Sequence, residues 1–373
     1  MISGLRTGGA ETMLVALCRA LQSRGIPQHV VSLTKDGANL AVLQAAGIEV
    51  HVIAPEGIVG AAASVMRLVR LIRRLRPVVL QGWLYHGDLF AALGHRMAGM
   101  PRGTLLAWGL RNSDIDHERY GSLLLLGRWL SGWPGLVISN SQAGADFHRS
   151  RGYRPRRLAV IPNGIDTERF RPEPALRASV RMEFGLAEET VVAVHVARLD
   201  PMKDHATLLA VAEQVPRIRF LLVGAGTETL TLPPNATALG RRDDLERIYA
   251  AGDIVVSTSA FGEGFSNALA EGMAAGLIPV ATRVGDSSLI LDDVGTLVPP
   301  GDAEGIAGAL ADLAALPAPD RRSIGIAARR RVVSTFGSTI MPDRFLAAWT
   351  GAGADLGRSR DPHGKKNDLS SSD

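Results

Sequence analysis

The sequence predicts an α/β protein built from two doubly wound, Rossmann-like parallel-sheet domains facing across a cleft. Two observations carry that prediction. Short, β-branched apolar runs alternate with amphipathic stretches through most of the 373 residues, the pattern of parallel strands joined by crossover helices. A proline-marked stretch, Phe170-Arg171-Pro172-Glu173-Pro174, splits these runs into two sets. With 46% hydrophobic and 21% charged residues the chain can bury two cores, and its 41 Gly suit the tight turns of such a fold.

In chain order, strands of the first set are expected at 28–33, 48–53, 78–81, 105–108, 136–139 and 158–161, with helices between them. The second set follows at 191–196, 220–223, 254–257, 277–281 and 296–298. In sheets of this kind ligands bind at the carboxyl ends of the strands. The expected domains are 1–170 and 171–338. A helix over 339–352 then crosses back to the first domain, and a polar tail over 353–373 is expected to be disordered. The start is unusual. Gly8-Gly9 and the helix that follows need a buried strand ahead of them, and only Met1 and Ile2 are there to supply it, so the first strand is expected to be clipped.

The net charge of +4 fits an anionic ligand or surface and gives no indication of nucleic acid. Cys18 is the single cysteine, so no disulfide forms within the chain and no zinc-type cysteine spacing exists; the expected compartment is a reducing cytoplasm. No signal-peptide pattern opens the sequence, and no apolar run approaches the ~20 residues that span a bilayer. Residues 65–76 set Arg67, Arg70, Arg73, Arg74 and Arg76 among Leu68, Val69, Leu71, Ile72 and Leu75. Such a basic amphipathic helix can rest on an anionic membrane surface, or it can pack on the core with a solvated face.

The most informative stretch is 261–276, FGEGFSNALAEGMAAG. Glu263 follows a buried-strand pattern and stands on a loop before a helix expected over 266–275, which Gly276 ends. Glu271 lies about 7–8 Å further along that helix. Two acidic hydroxyl acceptors with backbone N–H donors between them suit a ligand rich in hydroxyls and phosphates, and a nucleotide-sugar is the obvious candidate. Taken alone, either glutamate could serve the helix dipole or face water.

Other segments fit the same ligand. Arg198 and Lys203 follow the strand at 191–196, with Lys203 opening a helix that Asp204 caps. A guanidinium fork and a point charge at a helix start suit a diphosphate, and the contacts should strengthen as the leaving group gains charge. Gly8 and Gly9 allow close backbone approach to an anion or acceptor. Glu11 can be a first-turn dipole residue. Asp114-Ile115-Asp116 imitates a metal motif, but the cations and helix dipoles make a metal unnecessary, and none is expected.

These parts together resemble the retaining glycosyltransferases of glycosyltransferase family four, which have the GT-B fold. The pair Glu263 and Glu271 is similar to the family's spaced-glutamate motif. Thr7-Gly8-Gly9-Ala10-Glu11-Thr12 resembles its glycine loop, Ile161-Pro162-Asn163-Gly164-Ile165-Asp166 the segment leading to its linker, and Val196-Ala197-Arg198-Leu199-Asp200-Pro201-Met202-Lys203-Asp204-His205 its donor-phosphate segment. The likeness spans roughly residues 1–350. Gln81-Gly82-Trp83-Leu84-Tyr85-His86 and Trp108-Gly109-Leu110-Arg111-Asn112-Ser113 further resemble bacterial members that assemble cell-surface polysaccharide. Two departures stand out: the clipped first strand, and a stretch between Gly226 and Leu239 with little helical character where the family places a full helix.

The resemblance implies a metal-independent transfer from a nucleotide-diphosphate-sugar to a hydroxyl of a saccharide or lipid-linked saccharide. It implies His86, Arg198, Lys203 and Glu263 as catalytic residues. Donor contacts would come from Gly8, Gly9, Arg198, Lys203, Gly240, Arg241, Glu263, Gly264, Phe265, Ser266, Asn267 and Glu271. Acceptor contacts would come from Trp83, Tyr85, His86 and Arg111. For Trp83, Tyr85 and His86 the alternative is a place in the core, and for Arg111 a surface salt bridge. A sugar-nucleotide epimerase on the same fold, or a non-catalytic binding protein, is the alternative function.

Overall fold

A computed structural model describes residues 1–6, 8–35, 37–54, 57–99, 103–111 and 117–356. Two units divide the chain: Met1–Pro162 with Thr339–Asp373, and Asn163–Ser338.

In the first unit, α1 (Gly9–Gln22) leads to β1 (His29–Ser32), α2 (Ala38–Ala45) to β2 (Glu49–Val52), and α3 (Gly57–Leu75) to β3 (Val79–Gln81). Then α4 (Leu84–Met97) leads to β4 (Leu105–Leu110), α5 (His117–Leu130) to β5 (Leu136–Ser139), and α6 (Gln142–Ser150) to β6 (Leu158–Val160). All pairings are parallel: β1 with β2, and β3 to β6 in order. Ile2 joins the two groups through single parallel bridges to Ser32 and Trp83. Its N–H donates to Val31 O at 2.9 Å, and Leu33 N–H donates to Ile2 O at 3.1 Å. One residue thus stands where a strand is expected ahead of the glycine loop, between β1 and β3.

Helices on both faces explain why β4 and β5 are buried at every position. In α3, Leu68, Val69 and Ile72 are core residues, and all five arginines are exposed. Its apolar face is therefore taken up by the protein, as in the core-helix alternative.

The second unit runs α7 (Pro174–Glu183), β7 (Val192–Val196), α8 (His205–Gln214), β8 (Arg219–Val223), β9 (Ala236–Ala238), α9 (Leu245–Ala251) and β10 (Ile254–Ser257). It continues with α10 (Asn267–Ala274), β11 (Ile278–Thr282), α11 (Ser287–Leu291), β12 (Thr296–Val298), α12 (Ala303–Ala315) and α13 (Ala318–Phe336). The sheet order is β12-β11-β10-β7-β8-β9, parallel throughout. Strand β9 is absent from the sequence prediction, because Ala-Thr-Ala carries no apolar run; pairing with β8 extends it. The stretch before it holds only a 3-10 turn, Thr227–Thr229, in place of a full helix.

The expected border at residue 170 falls inside the second unit. Ile165 N–H donates to Phe336 O at 2.7 Å, Ser338 N–H donates to Ile165 O at 2.8 Å, and Phe170 packs edge-on to Tyr249 with ring centroids 5.8 Å apart. The chain ends in the first unit with α14 (Met341–Gly351). Its Trp349 indole donates to Gln81 Oε1 at 2.8 Å, and its Phe345 stacks on Trp83 at 6.1 Å. Order also runs further than 352. Gly353 adopts φ +98°, Ala354 N–H donates to Trp349 O at 3.0 Å, and the Ala354 methyl is buried. That helix stop, with its apolar residue tucked back, holds the first residues of the expected tail; residues 357–373 lie outside those described. Among the described residues no helix is long and apolar enough to cross a membrane.

Candidate active site at the strand ends of the second unit

Strands β7 and β10 are neighbours in the sheet, so the loops leaving their carboxyl ends lie side by side. Three hydrogen bonds tie the loops together. Thr258 Oγ1 donates to the carbonyls of Lys203 (2.9 Å) and Asp204 (3.1 Å), and Ala260 N–H donates to Met202 O at 2.9 Å. The result brings Lys203 Nζ onto Glu263 Oε2 as an ion pair, with both side chains largely buried. Ser259 Oγ lies 3.5 Å from the same carboxylate oxygen. The loop is held from below as well. Asp286 N–H donates to Gly264 O at 3.0 Å, and Gly285, at φ +58°, has no room for a Cβ against the carbonyls of Glu263 and Gly264.

Lys203 does not open a helix as expected. It closes a 3-10 turn, Pro201–Lys203, and α8 starts two residues later. The positive end of α8 is already served by a side chain: Asp204 accepts from Thr207 N (3.1 Å) and Thr207 Oγ1 (2.6 Å). At α10 the cap position is Ser266, whose side chain makes no cap hydrogen bond, so the first-turn amides keep their capacity for an anion. Phe265 is buried against Phe336, with ring centroids 5.2 Å apart. Only its backbone, with that of Gly264 and Ser266, can face a ligand. Asn267 Oδ1 accepts from Asn163 Nδ2 at 2.8 Å.

Arg198 is exposed and holds Asp200, with Nη2 2.6 Å from Oδ2. Burial alone would raise the Asp200 pKa, but the Met202 N–H and Arg198 outweigh it and hold the carboxyl below its ordinary value. Glu271 sits on α10 facing Arg169 and Tyr249. Burial pushes its pKa up to about 7, against the pull of Arg169 and the Tyr249 hydroxyl. Under the β7 end, His195 is buried with Nδ1 3.0 Å from Val256 O; burial, then the nearby His205, pushes its pKa down to about 3, so it is neutral. Gly240 follows β9 at φ +61° and its carbonyl accepts from Gly224 N at 2.8 Å, while Arg241 is exposed, 3.6 Å from Asp243.

The candidates in the first unit fare differently. Trp83 is a core residue, stacked on Phe345, and the Arg111 guanidinium lies 3.8 Å from the Trp83 ring centroid and 6.0 Å from that of Phe345. Tyr85 is buried too, and its hydroxyl sits 2.7 Å from His148 Nε2. Neither ring is a platform for a sugar; the core alternative describes both. Arg111 is half-buried. Burial draws its pKa down to about 9, and Asp88 pulls it back up. His86 is exposed on α4, two residues after Leu84, which adopts φ +64°. Gly8 caps α1, and the carboxylate of Glu11 folds over it into the place a Cβ would take. The Glu11 carboxylate thus lies over the glycine loop at the start of α1, where the sequence places an anion contact. Asn112 to Asp116, which include the Asp-Ile-Asp triplet, lie outside the described residues.

Sequence reasoning missed the Lys203–Glu263 pair, Arg169 beside Glu271, and Asn163 on Asn267. Each joins residues 60 or more apart in the chain, with no local pattern to signal it.

Two family models match the chain: Glycosyltransferase Family 4 over residues 7–169, and Glycosyl transferases group 1 over 190–315. D-inositol 3-phosphate glycosyltransferase of Mycobacteroides abscessus is 32% identical over 196 residues, 48% of this chain and 44% of that relative. The chain thus spans less than half of that relative. The putative glycosyltransferase EpsF of Bacillus subtilis is 25% identical over 74% of this chain and 76% of its own length. Among solved structures, Anabaena HepE in complex with UDP superposes with a TM-score of 0.82 at 23% identity, covering 94% of this chain and 98% of that one. Sucrose-phosphate synthase from Thermosynechococcus elongatus gives 0.73 at 18% identity, covering 93% and 95%.

Proposed function

We propose that this chain, which belongs to the family 4 glycosyltransferases of GT-B fold, moves a sugar from a nucleotide-diphosphate-sugar to a hydroxyl of a saccharide or lipid-linked saccharide, with retention at the anomeric carbon. The observation that carries this reading is the Lys203–Glu263 pair beside the uncapped start of α10. The ion pair is poised to open. A diphosphate that accepts from Lys203 and the α10 amides releases the Glu263 carboxylate to accept from hydroxyls of the transferred sugar. Arg198 adds a second cation to the leaving phosphate, and Glu271 accepts from the ribose hydroxyls. The bond between the anomeric carbon and the phosphate oxygen breaks, the acceptor oxygen bonds to the same face, and its proton passes to the departing phosphate oxygen. Charge gathers on that phosphate, so Lys203 acts mainly in the transition state.

HepE was solved with UDP and with UDP-glucose, which makes UDP-glucose the first donor to assay. Turnover of a nucleotide-diphosphate-sugar that disappears in Lys203→Ala supports the reading; wild-type protein that binds and hydrolyses no such donor ends it. The transfer is proposed to need no metal, because Lys203, Arg198 and amide dipoles balance the diphosphate. Activity that collapses in EDTA and returns with manganese would sink that part.

The acceptor side is proposed to work at an anionic membrane surface in the cytoplasm, as in cell-surface polysaccharide or glycolipid assembly. Support comes from α5, whose end exposes Leu125 (55%), Leu126 (47%), Trp129 (77%) and the following Trp133 (49%). Arg128 on α5 is exposed, as are Arg151, Arg154, Arg156 and Arg157 in the segment after α6, which meets the α5 end where Arg154 N–H donates to Ser131 Oγ at 2.9 Å. Between residues 121 and 160 the one acid is Asp146. Exposed tryptophan in an arginine-rich region suits the headgroup level of an anionic bilayer. Flotation with phosphatidylglycerol vesicles, lost on Trp129→Glu, is the expected result; equal recovery with neutral vesicles overturns it.

A further inference from the structure

The geometry points to a second site, in the first unit: His29, Glu49 and His51 form a binding site for one divalent transition-metal ion of the zinc class, which ties edge strand β2 to β1. The strand register builds it. His29 pairs directly with Glu49, and His51 follows Glu49 by two residues, so all three side chains leave the same face of the sheet. Their ligand atoms converge. His29 Nδ1 is 3.2 Å from Glu49 Oε2, His51 Nε2 is 3.4 Å from Glu49 Oε1, and the two ring nitrogens are 3.4 Å apart. In a tetrahedral zinc site with Zn–N bonds near 2.05 Å, neighbouring ligand atoms stand about 3.3 Å apart.

Protons alone fit the cluster poorly. A proton on each nitrogen satisfies the carboxylate but sets two N–H dipoles side by side. A proton on one nitrogen only leaves the other's lone pair facing a carboxylate oxygen. A dication takes the place of both protons and accepts all three lone pairs. Two neutral imidazoles and one carboxylate form a donor set suited to zinc, cobalt or nickel, and a water molecule can complete it.

One charge opposes the ion. Arg74, from the end of α3, has Nη2 4.0 Å from Glu49 Oε1, and its side chain is 67% exposed, so it can swing into solvent. The benefit falls on the sheet edge. Strand β2 pairs only with β1 in the described sheet and is exposed at both ends. A metal bridging the two strands fastens this edge and binds the folded state selectively.

The test uses the full, tag-free chain, zinc chloride and a chromophoric chelator as competitor, with Co²⁺ absorption as a second readout. The expected result is one equivalent of zinc per chain, a visible cobalt band of four-coordinate type, and a Tm that rises with zinc. His29→Ala and His51→Gln each weaken binding by at least about 100-fold. Arg74→Ala tightens it roughly two- to fivefold, by removing the competing cation. The proposal is overturned if the wild-type chain takes up no zinc in the micromolar range. It is equally overturned if the histidine variants, folded by circular dichroism, bind as the wild type does, because the ion then sits elsewhere.

Discussion

Helices α1 and α10 both begin after a glycine-containing loop, and they treat their amino ends differently. At α1, Glu11 of the first turn folds its carboxylate back over Gly8, so the positive end meets a negative charge from its own chain. At α10, Glu263 lies ahead of the helix and is held by Lys203, and Ser266 makes no cap hydrogen bond, so the first-turn amides remain available. A glycine loop before a helix favours an external anion most where no internal acid lies over the amino end. The α8 start makes the same point, since Asp204 closes it.

The harshest way to break this contrast is Gly285→Ala. A Cβ there meets the carbonyls of Glu263 and Gly264 at a left-handed φ. The expected cost is about 2–4 kcal/mol of stability, with loss of transfer activity, read by urea denaturation and a donor-turnover assay. Lys203→Ala comes next. Turnover should fall about 100-fold or more while the donor KM changes little. A rise in KM with unchanged turnover would reassign Lys203 to ground-state binding.

A subtler effect concerns Glu271, for which Glu271→Ala should raise the donor KM. Its pKa is raised from 4.5 to about 7, so the cost of ionising it grows as pH climbs from the unfolded value and is complete above about 7. Ribose hydroxyls donate to the ionised form. Donor affinity should therefore rise about tenfold from pH 6 to pH 8, with proton release on binding, and Glu271→Gln should flatten the profile. Calorimetry in buffers of different ionisation heat measures both. The smallest effect belongs to Glu11→Ala: about 0.5–1 kcal/mol of stability lost and the donor KM unaltered. A shifted donor KM in that variant would show that α1 contacts the donor after all.

Much of the architecture was legible because it rests on local pattern. Eleven of the strand runs were readable from short β-branched stretches bounded by turns, as with β10 and β5, whose residues are apolar on both faces. Strand β9 was not, because its Ala-Thr-Ala is a strand only by pairing with β8. The site was legible in part. Glu263, Glu271, Arg198 and Lys203 could be named from spacing and from their place after strands. Trp83 and Tyr85 could be named as well, but their type fits a sugar platform and a core equally, and burial chose the core.

Residue order was enough to specify parallel α/β winding, a carboxylate at a strand end and cations on a neighbouring loop, since period, turns and charge are properties of short segments. Which charges neutralise each other, which helix start keeps its amides free, and which histidines meet across β1 and β2 depended on the fold. Those are contacts between distant segments, and electrostatic energy follows distance in space, not separation along the chain.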